Sequence, residues 1–118
     1  MRAAGLHAID TVVQTSAILI KSKEPSNPKL VELIASRIRG VITAQKYVLC
    51  QYNVPRAKLH EATSITPGKR AATVTALDED GWVAVSAMVE KKRIAIVMDE
   101  LVDVGATDVI VLDIHNTR

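Results

Sequence analysis

Between Ile65 and Lys92 the chain is punctuated as a turn, a strand, a turn, a second strand and a helix start. Thr66-Pro67-Gly68-Lys69 fits a type II turn, because Pro presets the second position and Gly permits positive φ at the third. Thr73 to Leu77 and Trp82 to Val89 are rich in β-branched and small apolar residues, and Asp78-Glu79-Asp80-Gly81 separates them. That pattern predicts a hairpin. Glu90-Lys91-Lys92 then leads into a helical period. The rest of the chain beyond about Pro28 has to be arranged around this hairpin.

The flanking segments supply the partners. Asn27-Pro28 opens a helix, with Asn at the N-cap and Pro at the first helical position. Leu30, Ile34, Ile38, Val41 and Ile42 continue it at helical spacing to about residue 45. Gly40 is a weak point in that helix, costing about 1 kcal/mol relative to Ala. Tyr47 to Asn53 reads as a strand, ended by Pro55, which opens a short helix through Leu59 and Ala62. Ile94, Val97, Met98 and Leu101 lie at i, i+3, i+4 and i+7, and Gly105 ends that helix. Asp108 to Ile114 is a last strand, apolar on both faces and so expected at the centre of its sheet. From Tyr47 onward the order is βαββαβ, the split βαβ, ferredoxin-like arrangement of an α+β domain. Both helices lie on one face of its antiparallel sheet. The other face awaits the helix at 28 to 45 or a neighbouring subunit.

Residues 8 to 21 predict a long strand, with no partner in the first 27 residues. Ser22 to Pro28 carries two prolines and two serines and reads as a linker. The expected division is residues 1–27 as a remnant of a preceding part and 28–118 as the folded domain.

Composition narrows the function. The 118 residues contain no Phe and 3% aromatics, so the core must be Val, Ile, Leu and Ala. A net charge of +2 without a concentrated basic face argues against nucleic-acid binding. No apolar run reaches a membrane span, and the N-terminus lacks a signal-peptide core, so a soluble, cytoplasmic protein is expected. Cys50 is the single cysteine; it sits in a strand pattern as a small buried hydrophobe, without a disulfide partner.

Catalytic and metal signatures are absent: no phosphate loop, no His-Glu-x-x-His, no Cys pair. His7, His60 and His115 are scattered. The acids of Asp78 to Asp80 read as a solvated turn, Glu90 to Arg93 as an exposed helix start, and Trp82 as sheet packing. Lys69-Arg70, after the Pro-Gly turn, is open between an anion contact and a plain exposed loop.

Tyr52-Asn-Val-Pro, Ile65-Thr-Pro-Gly-Lys-Arg, Gly81-Trp-Val-Ala-Val, Met98-Asp-Glu-Leu and Gly105-Ala-Thr-Asp, taken together, resemble the C-terminal part of the long form of ATP phosphoribosyltransferase, closest to its fungal members. The resemblance covers essentially the whole chain. It implies that residues 1 to about 24 are the last helix-strand return of a catalytic part, and that the phosphoribosyl pyrophosphate loop lies before Met1. The parent reaction is a glycosyltransfer opening histidine biosynthesis: N1 of ATP displaces pyrophosphate from phosphoribosyl pyrophosphate, with Mg2+ balancing charge in the intact enzyme. No catalytic residue, metal or cofactor is expected in this chain, which alone should be inactive.

The resemblance further implies a regulatory domain that binds L-histidine between subunits of a dimer or hexamer. The carried-over effector positions are Asn53, Lys69, Ala71, Thr73, Met88 and Asp108. Asn53 replaces an Asp of bacterial relatives and accepts a hydrogen bond without supplying charge. Ala71 stands for a Ser, Lys69 for an apolar residue, and Asp108 for a small residue, where it restores a negative charge. The alternative is a purely structural oligomerisation module that senses nothing.

Overall fold

A computed structural model describes residues 5–118. The first four residues of the expected 1–27 unit lie outside the described residues. The elements run α1 (Pro28–Lys46), β1 (Tyr47–Pro55), α2 (Leu59–Ile65), β2 (Thr73–Ala76), β3 (Trp82–Glu90), α3 (Ile94–Asp103) and β4 (Thr107–Asp113). Single 3-10 turns precede α2 and α3.

The strands form one antiparallel sheet in the order β2-β3-β1-β4. With α2 and α3 against one face, this is the ferredoxin-like α+β domain that the element order predicts. Alternation sets the two faces. Val48, Cys50, Tyr52 and Val54 of β1 and Val83, Val85 and Val89 of β3 are buried against the helices. Ala62 of α2 and Val97 and Leu101 of α3 close the core over them. Leu49, Gln51 and Asn53 of β1 lie on the other face, in register with Met88, Ser86 and Ala84 of β3.

Local chemistry explains the ends. Asn27 Oδ1 accepts from the Leu30 amide at 3.2 Å, capping α1. At the end of α3 the Gly105 amide donates to Val102 and the Ala106 amide to Leu101, a Schellman pair. Gly105 takes φ +101, which only glycine adopts without strain, and Leu101 and Ala106 are both buried beside it. Between β2 and β3 the acidic turn is exposed and closes on Gly81 at φ +82.

Three expectations are corrected. Residues 8–21 form no strand; Val12, Ile18 and Ile20 remain at least 82% exposed. β-propensity alone cannot make a strand where no ladder partner is available. β4 is an edge strand, not a central one. Its two apolar faces have separate causes: Val109 and Val111 pack on the core, while Ile110 and Leu112 sit half-exposed on the open face. Finally, Gly40 is no mere weak point, because the C-terminal tail crosses α1 there. A Cβ on Gly40 would stand 2.7 Å from the Thr117 carbonyl oxygen, and the Thr117 amide donates to Gly40 O at 3.2 Å.

α1 does not cover the open sheet face. Leu30, Ile34, Ile38 and Ile42 along its apolar stripe stay between 36% and 49% exposed. Among the described residues no helix is long and apolar enough to cross a membrane.

Candidate functional site

The β1–β4 ladder loses register at one point. Gln51 pairs with Ile110, but Asn53 pairs with Thr107, so β4 carries one extra residue opposite Tyr52. Asp108 occupies that bulge at φ +52, the only non-glycine residue at positive φ among those described. Asp tolerates the left-handed region better than most residues because its short side chain bonds locally. Here Thr107 Oγ1 donates to Asp108 Oδ2 at 3.3 Å. Bulges re-aim side chains, and this one brings the Asp108 carboxylate to Asn53, whose Nδ2 donates to Oδ2 at 3.2 Å. The result is an exposed carboxylate held beside a half-buried amide at one end of the open face.

Lys69 and Met88 lie toward the other end. They line one cavity of about 170 Å³ together with Tyr47, Thr66 and Arg93. The Lys69 ammonium stands 5.4 Å from the centroid of the Tyr47 ring, a cation–π distance that pins a long side chain. Gly68, at φ +70, turns the chain in front of it, as the Pro-Gly pair predicts. Ala71 is exposed beyond that turn, its carbonyl oxygen packed over Gly68. Thr73 is exposed on β2, opposite Ser86, which in turn faces Gln51.

The six candidate residues thus fall into two groups. Met88 pairs with Leu49, and Asn53 lies four residues further along β1, a separation of about 13 Å at strand rise. Asn53 with Asp108 forms one group; Lys69 and Met88, with Ala71 and Thr73 on the neighbouring loop and edge strand, form the other.

Sequence reasoning missed the support behind the Pro-Gly loop. The Tyr52 and Thr66 hydroxyls lie 2.7 Å apart, both residues buried, and Thr66 Oγ1 also donates to Ala62 O at 3.3 Å. Burial raises the Tyr52 pKa, partly offset by the Thr66 hydrogen bond. The Cys50 thiol is likewise pushed up by burial, the environment of an inert thiol. The signal for this contact was a hydroxyl immediately before Pro67, facing the one tyrosine on the inner face of β1. His7, His60 and His115 are all exposed. Among the described residues no three His, Cys, Asp or Glu side chains converge as a metal site.

Residues 44–116 match the family described as HisG, C-terminal domain. Curated proteins similar to the whole chain are named ATP phosphoribosyltransferase. That of Yarrowia lipolytica is 61% identical over 118 residues, that of Saccharomyces cerevisiae 53% over 119, and that of Schizosaccharomyces pombe 54% over 120. Each alignment takes in all of this chain but only 39–40% of the relative's length. With the family's match running from the end of α1 through β4, this chain belongs to the HisG C-terminal domain family.

Proposed function

We propose that residues 28–118 are the histidine-sensing and oligomerising regulatory domain of an ATP phosphoribosyltransferase. Residues 1–27 then carry the end of the preceding catalytic part, which is the first partner. The observation that carries this reading is the Asn53–Asp108 pair, a carboxylate and an amide fixed together by a β-bulge at the open face. An exposed carboxylate suits the ammonium or imidazolium of free histidine, and the amide adds a neutral hydrogen bond. The second group, at Lys69 and Met88, is too far away to touch the same small ligand within one chain. A second copy bringing its own loop and edge strand to this end of the sheet would complete the pocket.

Feedback follows if two assembly states differ in affinity for histidine, since a ligand shifts an equilibrium only by its differential affinity. In the full-length enzyme the regulated reaction is displacement of pyrophosphate from phosphoribosyl pyrophosphate by ATP. Magnesium would neutralise the leaving group there. Among the described residues no three His, Cys, Asp or Glu side chains converge to hold such an ion. Catalysis belongs to the preceding part, and this chain alone is expected to be inactive.

Calorimetric titration of the chain with L-histidine tests the reading. Saturable heat, with a raised melting temperature, is expected. No heat and no thermal shift at millimolar histidine would remove the sensing role.

The half-exposed Ile110 and Leu112, beside Leu49 and Met88 on the uncovered sheet face, favour a second reading: an oligomerisation module without an effector. Sedimentation with and without histidine separates the two. A ligand-independent oligomer that gives no histidine heat supports the second.

A further inference from the structure

Three segments distant in sequence meet beside Gly40. α1 contributes Ser36, Arg39 and Thr43; the Pro-Gly loop contributes Lys69; the C-terminal tail contributes Thr117 and Arg118. They line an open cavity of about 190 Å³, and no acidic side chain is among its lining residues. The meeting is fixed by backbone: the Thr117 amide bonds Gly40 O, and Asn116 Nδ2 donates to Arg37 O at 3.4 Å. Glycine at 40 is what lets the tail come so close.

Three basic residues therefore line one small space, and the Lys69 ammonium also lies 5.4 Å from the Tyr47 ring. The ion pairs among the described residues are Lys21–Glu32, Lys58–Glu61, Lys91–Asp113 and Lys92–Glu90, so Arg39, Lys69 and Arg118 have no carboxylate partner within 4 Å. Glu32, further up α1, has its pKa lowered mainly by Lys21, with Arg39 the smallest influence. All three are exposed, so solvent screens their repulsion, and the net positive potential between them favours an anion.

We infer that this cavity binds a phosphate-sized oxyanion. Guanidinium groups and hydroxyls are the donors that tetrahedral oxyanions take, and an ammonium adds a point charge. Its size decides the class: drug-sized and nucleotide ligands need about 300–1,000 Å³. A single phosphate group fits; a whole nucleotide does not. The phosphate arrives either free or as the exposed end of a larger molecule. Bound there, it ties α1 to the Pro-Gly loop and the tail. That fixes the helix leading to the preceding residues against the loop that carries Lys69. Apart from Lys69, the pocket shares no residue with the effector positions.

The test is a titration of the chain with inorganic phosphate and, separately, adenosine monophosphate at constant ionic strength. It is followed by the thermal midpoint and by amide shifts of Gly40 and Thr117. Saturable shifts are expected for phosphate, weakened about tenfold or more in Arg39→Gln and Lys69→Met. Lys29→Gln, on the same helix but about 15 Å away, should leave them unchanged. Tighter binding of the nucleotide would identify a carried phosphate; tighter binding of the free ion, an inorganic one. Absence of saturation, or equal weakening by Lys29→Gln, would overturn the site. The thermal midpoints of all variants in chloride alone check that each is folded.

Discussion

The Tyr52 hydroxyl lies 2.7 Å from the Thr66 hydroxyl, so the inner face of β1 is tied directly to the residue that precedes the Pro-Gly loop. Both residues are buried, Thr66 completely. The two halves of this contact are not equivalent. Thr66 keeps a second partner in Ala62 O, whereas the Tyr52 hydroxyl has no other among the described residues. Tyr52→Phe should therefore cost about 1 kcal/mol. Thr66→Val strands a buried phenol and should cost more, about 1–3 kcal/mol. Urea unfolding midpoints of the two variants check the order.

Gly40→Ala should lack the usual helical gain. In an open helix that change adds about 1 kcal/mol. Here the new methyl would meet Thr117 O at 2.7 Å and Asn116 Oδ1 at 2.5 Å, and neither the backbone nor the short amide side chain can yield without shifting the tail. The expected outcome is a midpoint no higher than that of the parent, with faster hydrogen exchange at the Thr117 amide. A clear rise in stability with unchanged exchange would contradict the crossing.

Asp108→Gly should separate stability from recognition. Glycine relieves a left-handed conformation that costs an ordinary residue about 1–2 kcal/mol and Asp less. The exposed hydrogen bonds from Asn53 and Thr107 that disappear are worth a similar or smaller amount. The thermal midpoint should stay level or rise. If the bulge holds histidine as proposed, affinity should fall about tenfold or more, since one charge-assisted hydrogen bond is lost. Calorimetry alongside a thermal scan reads both; unchanged affinity would move the effector away from this bulge.

Stability should decline on the alkaline side. Burial raises the pKa values of Cys50 and Tyr52 above their ordinary 9.0 and 10.0. A raised folded-state pKa means the native state holds its proton more tightly than the unfolded chain. The contribution is complete below the unfolded values and is lost as pH rises through the folded ones. Unfolding free energy should be flat to about pH 8 and fall toward about pH 10.5. Cys50→Ala should flatten the first part of that fall. A thiol reagent at neutral pH should modify native Cys50 far more slowly than the unfolded chain.

Most of the domain was legible because its local signals agree with its packing. Asn27-Pro28, Pro67-Gly68, Gly81 and Gly105 each demand one backbone conformation, and each stands where that conformation occurs. What failed was whatever depends on a partner outside the window being read. The β-branched run at 8–21 has propensity without a ladder. Ile110 and Leu112 imitate a central strand because an uncovered sheet face is as apolar as a core. Gly40 looked like a helix defect because the segment that needs it lies at the far end of the sequence. The candidate effector positions came from the resemblance alone, and nothing in Asn53 or Asp108 foretold their contact. It depends on a register shift in a ladder joining residues far apart in the chain.

The strand order also sets a timetable. Ala76 can find Val83 across a short turn, and Pro55 must wait for Trp82, but Asn53 meets Thr107 only after α3 has been made. Loop closure slows as the intervening chain lengthens. The β2–β3 hairpin can thus assemble early and template β1, while β4 docks last. During synthesis, β1 spends an interval with one flank unpaired and its bulge not yet formed. The Asn53–Asp108 pair then belongs to the final step of folding, so a chain stalled before β4 would hold most of its core but would leave Asn53 without its carboxylate partner.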